Sequence, residues 1–187
     1  MPREVEKRRH CATLLRVRSQ PLHLFFLRHG KAEDIYAGIT DADRKLTPEG
    51  IAEMRAEALA LATLNPRFDL IYTSPYPRAL ETARIVAEAV ELPAEHFHIV
   101  PEMAAGGFRM GLLQTLTRKL SPSARVLCVG HEPDLSSVAG QLIGGAQIDL
   151  KKGGLIYIES IRPQPGDGVL RWLLSPRHLT ALAGEEG

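Results

Sequence analysis

The chain has 187 residues, enough for one domain with a substantial buried core. Its 23 Lys and Arg nearly balance 22 Asp and Glu, and a formal net charge of +1 argues against a general nucleic-acid or membrane surface. Two cysteines, Cys11 and Cys128, supply no disulfide framework and suit a reducing, cytoplasmic setting.

Residues 1–20 read as a basic tail (Arg3, Lys7, Arg8, Arg9, Arg16, Arg18) without the apolar core of a signal peptide, and 21–187 as one domain. No apolar run approaches the roughly 20 residues that span a bilayer. The run 22–27 predicts a first strand, followed at once by Arg28-His29-Gly30. A polar loop, Lys31 to Asp43, leads to Leu46-Thr47-Pro48-Glu49-Gly50, where Thr47 suits a helix N-cap and Pro48 the first helical position. Ile51, Met54, Ala58 and Leu61 then recur on one helical face until Asn65-Pro66. Asp69–Thr73 predicts the second strand. Ser74-Pro75 repeats the cap-plus-proline signal, and Ala79, Ala83, Val86 and Val90 form the apolar face of a helix broken by Leu92-Pro93.

His98–Val100 predicts a short strand, followed by Pro101-Glu102 and a flexible Gly106-Gly107. Met110, Leu113, Thr117 and Leu120 mark another helix. A strand over 125–130 and a helix from Pro133 to Ile143 follow, the latter ended by Gly144-Gly145. Leu155–Ile158 and Val169–Leu173 are joined by a turn-rich segment, Arg162 to Gly168, and read as a hairpin. The alternation predicts a three-layer α/β/α sandwich with a mostly parallel central sheet and a C-terminal β-hairpin.

Two strands that each end in a histidine, His29 and His131, put both imidazoles at the carboxyl edge of the sheet, where open α/β proteins place ligands. Arg28 flanks the first, and Arg78 sits in the first turn of a helix, where the backbone also favours an anion. Gly30 lets the chain turn sharply and bring N–H groups close to a ligand. Two histidines and two arginines on one edge describe a pocket for a dianion, phosphate above all. Taken singly, each has a plainer reading as a packed histidine or a surface ion pair; three strand–turn–helix junctions in series outweigh it. A nucleophilic His29 needs one neutral ring nitrogen, so the other must hold its proton against a backbone carbonyl. His96 and His98 lack companion ligands, so no metal and no cofactor are expected.

Leu27-Arg28-His29-Gly30-Lys31-Ala32-Glu33-Asp34 resembles the opening motif of the histidine phosphatase (phosphoglycerate mutase-like) superfamily. Thr73–Ala83 is similar to its second block and Val129-Gly130-His131-Glu132-Pro133 to its third. Leu46–Gly50, Lys152–Leu155 and Trp172–Pro176 also fit, and the set looks most like the short SixA-type phosphohistidine phosphatases. The resemblance implies a phosphoglycerate mutase-like fold with His29 as phosphoryl acceptor. Arg28, Arg78, His131 as imidazolium, and the Gly30 turn would hold the phosphate. Glu102 falls where ester-cleaving members keep a proton donor; Glu33 and Asp34 are weaker substitutes. Lys31, Lys151 and Lys152 stand open as further substrate contacts.

The implied activity is metal-independent hydrolysis of phosphohistidine on a signalling or phosphotransfer protein. Departing imidazole is a neutral ring, so such a substrate asks little of an acid, and the short segment after Arg78 leaves the pocket open to a protein. The alternatives are a phosphomonoesterase of small metabolites such as sugar phosphates and a non-catalytic phosphate-binding module.

Overall fold

A computed structural model describes residues 20–36, 38–64 and 67–183; most of the basic tail and the predicted helix stop at Asn65-Pro66 lie outside them. Strand β1 (Leu22–Arg28) is apolar at successive positions because both of its faces are covered. Leu22, Leu24 and Phe26 enter one core cluster, and Phe25 and Leu27 enter another. Strand β4 (Arg125–Gly130) divides the same way, with Val126 and Cys128 on one face and Leu127 and Val129 on the other.

Strands β2 (Leu70–Thr73), β3 (Phe97–Ile99), β5 (Leu155–Ser160) and β6 (Gly168–Leu174) complete a six-stranded sheet of order β3-β2-β4-β1-β5-β6. The first four strands run parallel, and β5 pairs antiparallel with β1 and with β6. Helices α1 (Pro48–Leu64), α2 (Pro77–Ala89) and α5 (Pro176–Ala183) pack on one face. Helices α3 (Met110–Thr117) and α4 (Asp134–Leu142) pack on the other. The expected α/β/α sandwich and terminal hairpin are present. Because β1 and β4 are adjacent and parallel, with Arg28 opposite Gly130, the residues that follow both strands leave the sheet side by side.

Several boundaries differ from the sequence expectation. Thr47 caps α1 as expected, its Oγ1 accepting the Gly50 N–H at 3.0 Å. Ser74 does not cap α2: the helix begins at Pro77 behind Tyr76, and the Ser74 hydroxyl is spent elsewhere. The short strand is shifted one residue earlier, pairing Phe97 with Ile71 and Ile99 with Thr73, the last residue of β2. Gly106-Gly107 is no loose hinge, since buried Asp134 accepts from Gly106 N–H at 2.7 Å, from Phe108 N–H at 3.3 Å and from Arg109 at 2.6 Å. Helix α5, which the sequence reading omits, buries Leu179 against the face formed by α1.

One charged group breaks the apolar face of α1. Glu57 is 1% exposed, its Oε2 has no hydrogen-bond partner, and burial pushes its pKa up to about 8. Native protein therefore holds a proton that the unfolded chain releases above about 4.5. Stability from this group is full below pH 4.5 and is lost as pH rises through 8. Glu57→Gln keeps the shape and removes the titration. It is expected to gain on the order of 3 kcal/mol over the natural protein at pH 8 and nothing near pH 4.5. Urea unfolding at both values checks this, and an equal difference at both would contradict it.

Candidate active site

His29 lies one residue past β1, and its backbone N–H donates to the Gly130 carbonyl at 3.1 Å, tying the first junction to the third. Gly30 then turns under α1 and α2. A Cβ there would lie 2.5 Å from Met54 Cγ, so no other residue fits without a shift. The Gly30 N–H donates to Thr82 Oγ1 at 3.1 Å, and the Thr82 hydroxyl donates to the Arg78 carbonyl at 2.8 Å. The second junction is thereby fastened to the first.

The side chains meet in a buried cluster. His29 is 6% exposed, and Arg78 and His131 are each 3% exposed. His29 Nδ1 lies 2.8 Å from the Gly30 carbonyl and must donate to it, because a carbonyl can only accept. Nε2 is then the unprotonated nitrogen, and Arg78 Nε–H donates to it at 3.2 Å. Burial, aided by His131 and the charges of Arg78 and Arg28, pushes the His29 pKa down to about 3. The imidazole is neutral, with its lone pair on Nε2, as nucleophilic attack requires.

His131 stands 5.3 Å from His29, ring centre to ring centre. Its Nε2 is 2.7 Å from Ser74 Oγ, and Tyr76 packs against it at 5.1 Å. Burial and the nearby Arg78 charge push its pKa down to about 4. His131 is therefore a neutral imidazole at pH 7 in this pocket. Arg28 Nη1 donates to the Leu150 carbonyl at 2.8 Å, while its Nε is buried without a partner. The Gly153 N–H reaches the carbonyls of Arg28 and His29, at 3.1 and 3.2 Å. A Cβ on Gly153 would come within 2.6 Å of the Glu57 carboxyl, so the loop that steadies Arg28 rests on that buried acid.

The structure brings His29, Arg28, Arg78, His131 and Gly30 to one edge. Glu102 reaches the same edge, in the turn Pro101–Met103 after β3, but its side chain is exposed. Lys31 pairs with Glu49, and Lys151 pairs with Asp149 at 2.5 Å. His98 lies exposed on β3 beside Tyr72, and His96 lies in the preceding turn. Among the described residues no group of three or more His, Cys, Asp or Glu is placed to hold a metal ion.

Sequence reasoning missed Asp41. Its carboxylate Oδ2 accepts from Arg78 Nη2 at 2.9 Å and its backbone carbonyl accepts from Arg78 Nη1. The loop before it also holds Glu33 and Asp34, and no periodicity separates one acid from the others. Thr82 was visible only as a member of the second block, and Ser74 was read as a helix cap rather than as the partner of His131.

Residues 24–134 match the family described as histidine phosphatase superfamily, branch 1. The chain belongs to the histidine phosphatase superfamily. An uncharacterised protein of Picosynechococcus is 36% identical over 143 residues, 74% of this chain and 86% of that one. The phosphohistidine phosphatase SixA of Escherichia coli is 26% identical over 160 residues, 84% of this chain and 96% of that one. A solved structure of the protein histidine phosphatase SixA with tungstate matches with a TM-score of 0.73 and 28% identity, over 84% of this chain and 99% of that one. The protein is a phosphatase with the phosphoglycerate mutase-like α/β fold, and no described helix is long and apolar enough to cross a membrane.

Proposed function

We propose that this histidine phosphatase removes phosphoryl groups from phosphohistidine on a signalling or phosphotransfer protein, through a phosphoenzyme on His29. The observation that carries the reading is the His29 tautomer, with Nδ1–H held by Gly30 and Nε2 free of a proton against Arg78. In the first step the Nε2 lone pair attacks phosphorus. The bond from phosphorus to the substrate imidazole breaks, and its electron pair leaves on a ring that is neutral because its other nitrogen carries a proton.

Charge on the three equatorial oxygens is met by Arg78, Arg28 and His131, with no acid required at the leaving group. A dianion beside His131 favours its protonated form, so the ring gains its charge with the substrate. Water then attacks phosphorus, the bond to Nε2 breaks with its electrons returning to His29, and phosphate departs. The similarity to the SixA enzymes supports the same substrate class. Exposed Glu102 is unwired to the four pocket side chains, which fits a leaving group that needs little protonation.

The test is phosphate release, with chelator present, from a phosphohistidine-bearing phosphotransfer domain and from a panel of sugar phosphates. Higher kcat/KM on the domain is the expected result. Glu102→Gln is expected to leave that rate within about twofold while costing alkyl phosphates about a hundredfold, the usual worth of a general acid. A preference for a sugar phosphate would make the protein a metabolite phosphomonoesterase instead.

A further inference from the structure

We infer that Asp41 is a positioning residue that sets the plane of the Arg78 guanidinium so that the N–H groups Asp41 does not take face the phosphoryl group at His29. This rests on the proposed roles of His29 and Arg78 but not on the identity of the substrate. A guanidinium has five N–H groups in a rigid plane, and Arg78 is almost wholly buried, so each group needs a defined partner. Nε–H points to His29 Nε2. Nη1 and Nη2, at the far end, are taken by the backbone carbonyl and the carboxylate of the same residue, Asp41. Two attachments from one residue fix rotation about the long side chain, which a single contact does not.

The remaining N–H groups, one on each Nη, are the ones left for substrate oxygens. Nε–H joins them on attack, when it must release the Nε2 lone pair. Asp41 is itself fixed. Its other oxygen, Oδ1, accepts from Arg44 Nη1 at 2.8 Å, and Arg44 Nε–H donates to the Glu33 carbonyl. The Arg78 backbone N–H returns to the Arg44 carbonyl at 3.2 Å. Hydrogen bonding from Arg44, with the Arg78 charge behind it, holds the Asp41 carboxyl below its ordinary pKa, so it remains an anion. The polar loop after the first block therefore works as an outer brace for the arginine of the second.

The two effects of such a brace, geometry and stability, separate in a double-mutant cycle. The assay is p-nitrophenyl phosphate hydrolysis by the full chain, whose leaving group needs no acid. Asp41→Ala is expected to lower kcat about tenfold with KM within twofold. Asp41→Asn, which keeps an acceptor oxygen for Nη2, is expected to recover to within about threefold of the natural enzyme. In an Arg78→Ala background Asp41→Ala is expected to cost nothing further. An equal loss in both backgrounds, or no loss in the natural background while Arg78→Ala is impaired, would overturn the inference alone. A fully active Arg78→Ala would overturn the site assignment and the inference with it.

Discussion

His29→Ala is expected to abolish both turnover and phosphoenzyme, with the folded protein retained. The four side chains of the cluster are not equivalent. In the proposed mechanism Arg28, Arg78 and His131 stabilise charge, so that losing one lowers a rate, whereas losing His29 removes the atom that forms the bond. No other described histidine shares its arrangement. His131 has its Nε2 on Ser74, and His98 lies exposed on the far strand. Replacement also removes a buried imidazole that must stay neutral down to about pH 3. The native state resists protonation that the unfolded chain accepts below about 6.5, so this group costs stability progressively as pH falls below 6.5. The variant is therefore expected to lose less stability than the natural protein on acidification. Thermal unfolding at pH 7.5 and 5, beside a phosphate-release assay, checks both. Retention of most activity would contradict the mechanism.

Arg78→Ala is expected to cost about 3–4 kcal/mol of transition-state stabilisation, a loss of two to three orders of magnitude in kcat/KM. Its guanidinium is buried, oriented at both ends and in contact with His29 Nε2, so its charge acts where water does not screen it. Arg78→Lys is expected to recover only part of this. One ammonium carries the charge but does not engage Asp41 and a phosphate oxygen with the same plane. Steady-state kinetics on an aryl phosphate measures the loss, and a drop below tenfold for the alanine variant would contradict it.

The parts of this site that were legible in the sequence are those written in local chemistry. Apolar runs that end abruptly in Arg28-His29-Gly30 and Gly130-His131 mark strands buried on two faces, and their edge follows from the fold class. Thr47-Pro48 is a cap whose geometry is fixed within four residues. Ser74-Pro75 carried the same cap-plus-proline pattern, yet the helix starts at Pro77, and the Ser74 hydroxyl serves His131, a partner far away in sequence. Glu57 escaped the helical reading because a carboxyl is expected to face water. Asp41 and the neutral state of His131 depend on what the folded chain packs around them, and that is set by contacts between segments.

The measurement that bears most directly on the mechanism is the position of the phosphoryl group in the trapped enzyme. The full chain is acid-free quenched or denatured in base during turnover of a phosphohistidine protein, and the phosphoramidate is located by fragment mass spectrometry and phosphorus NMR. Because Nδ1–H is committed to the Gly30 carbonyl, the account predicts a single phosphoramidate, on Nε2 of His29. Phosphorus on Nδ1, on His131 or on no histidine at all would contradict it.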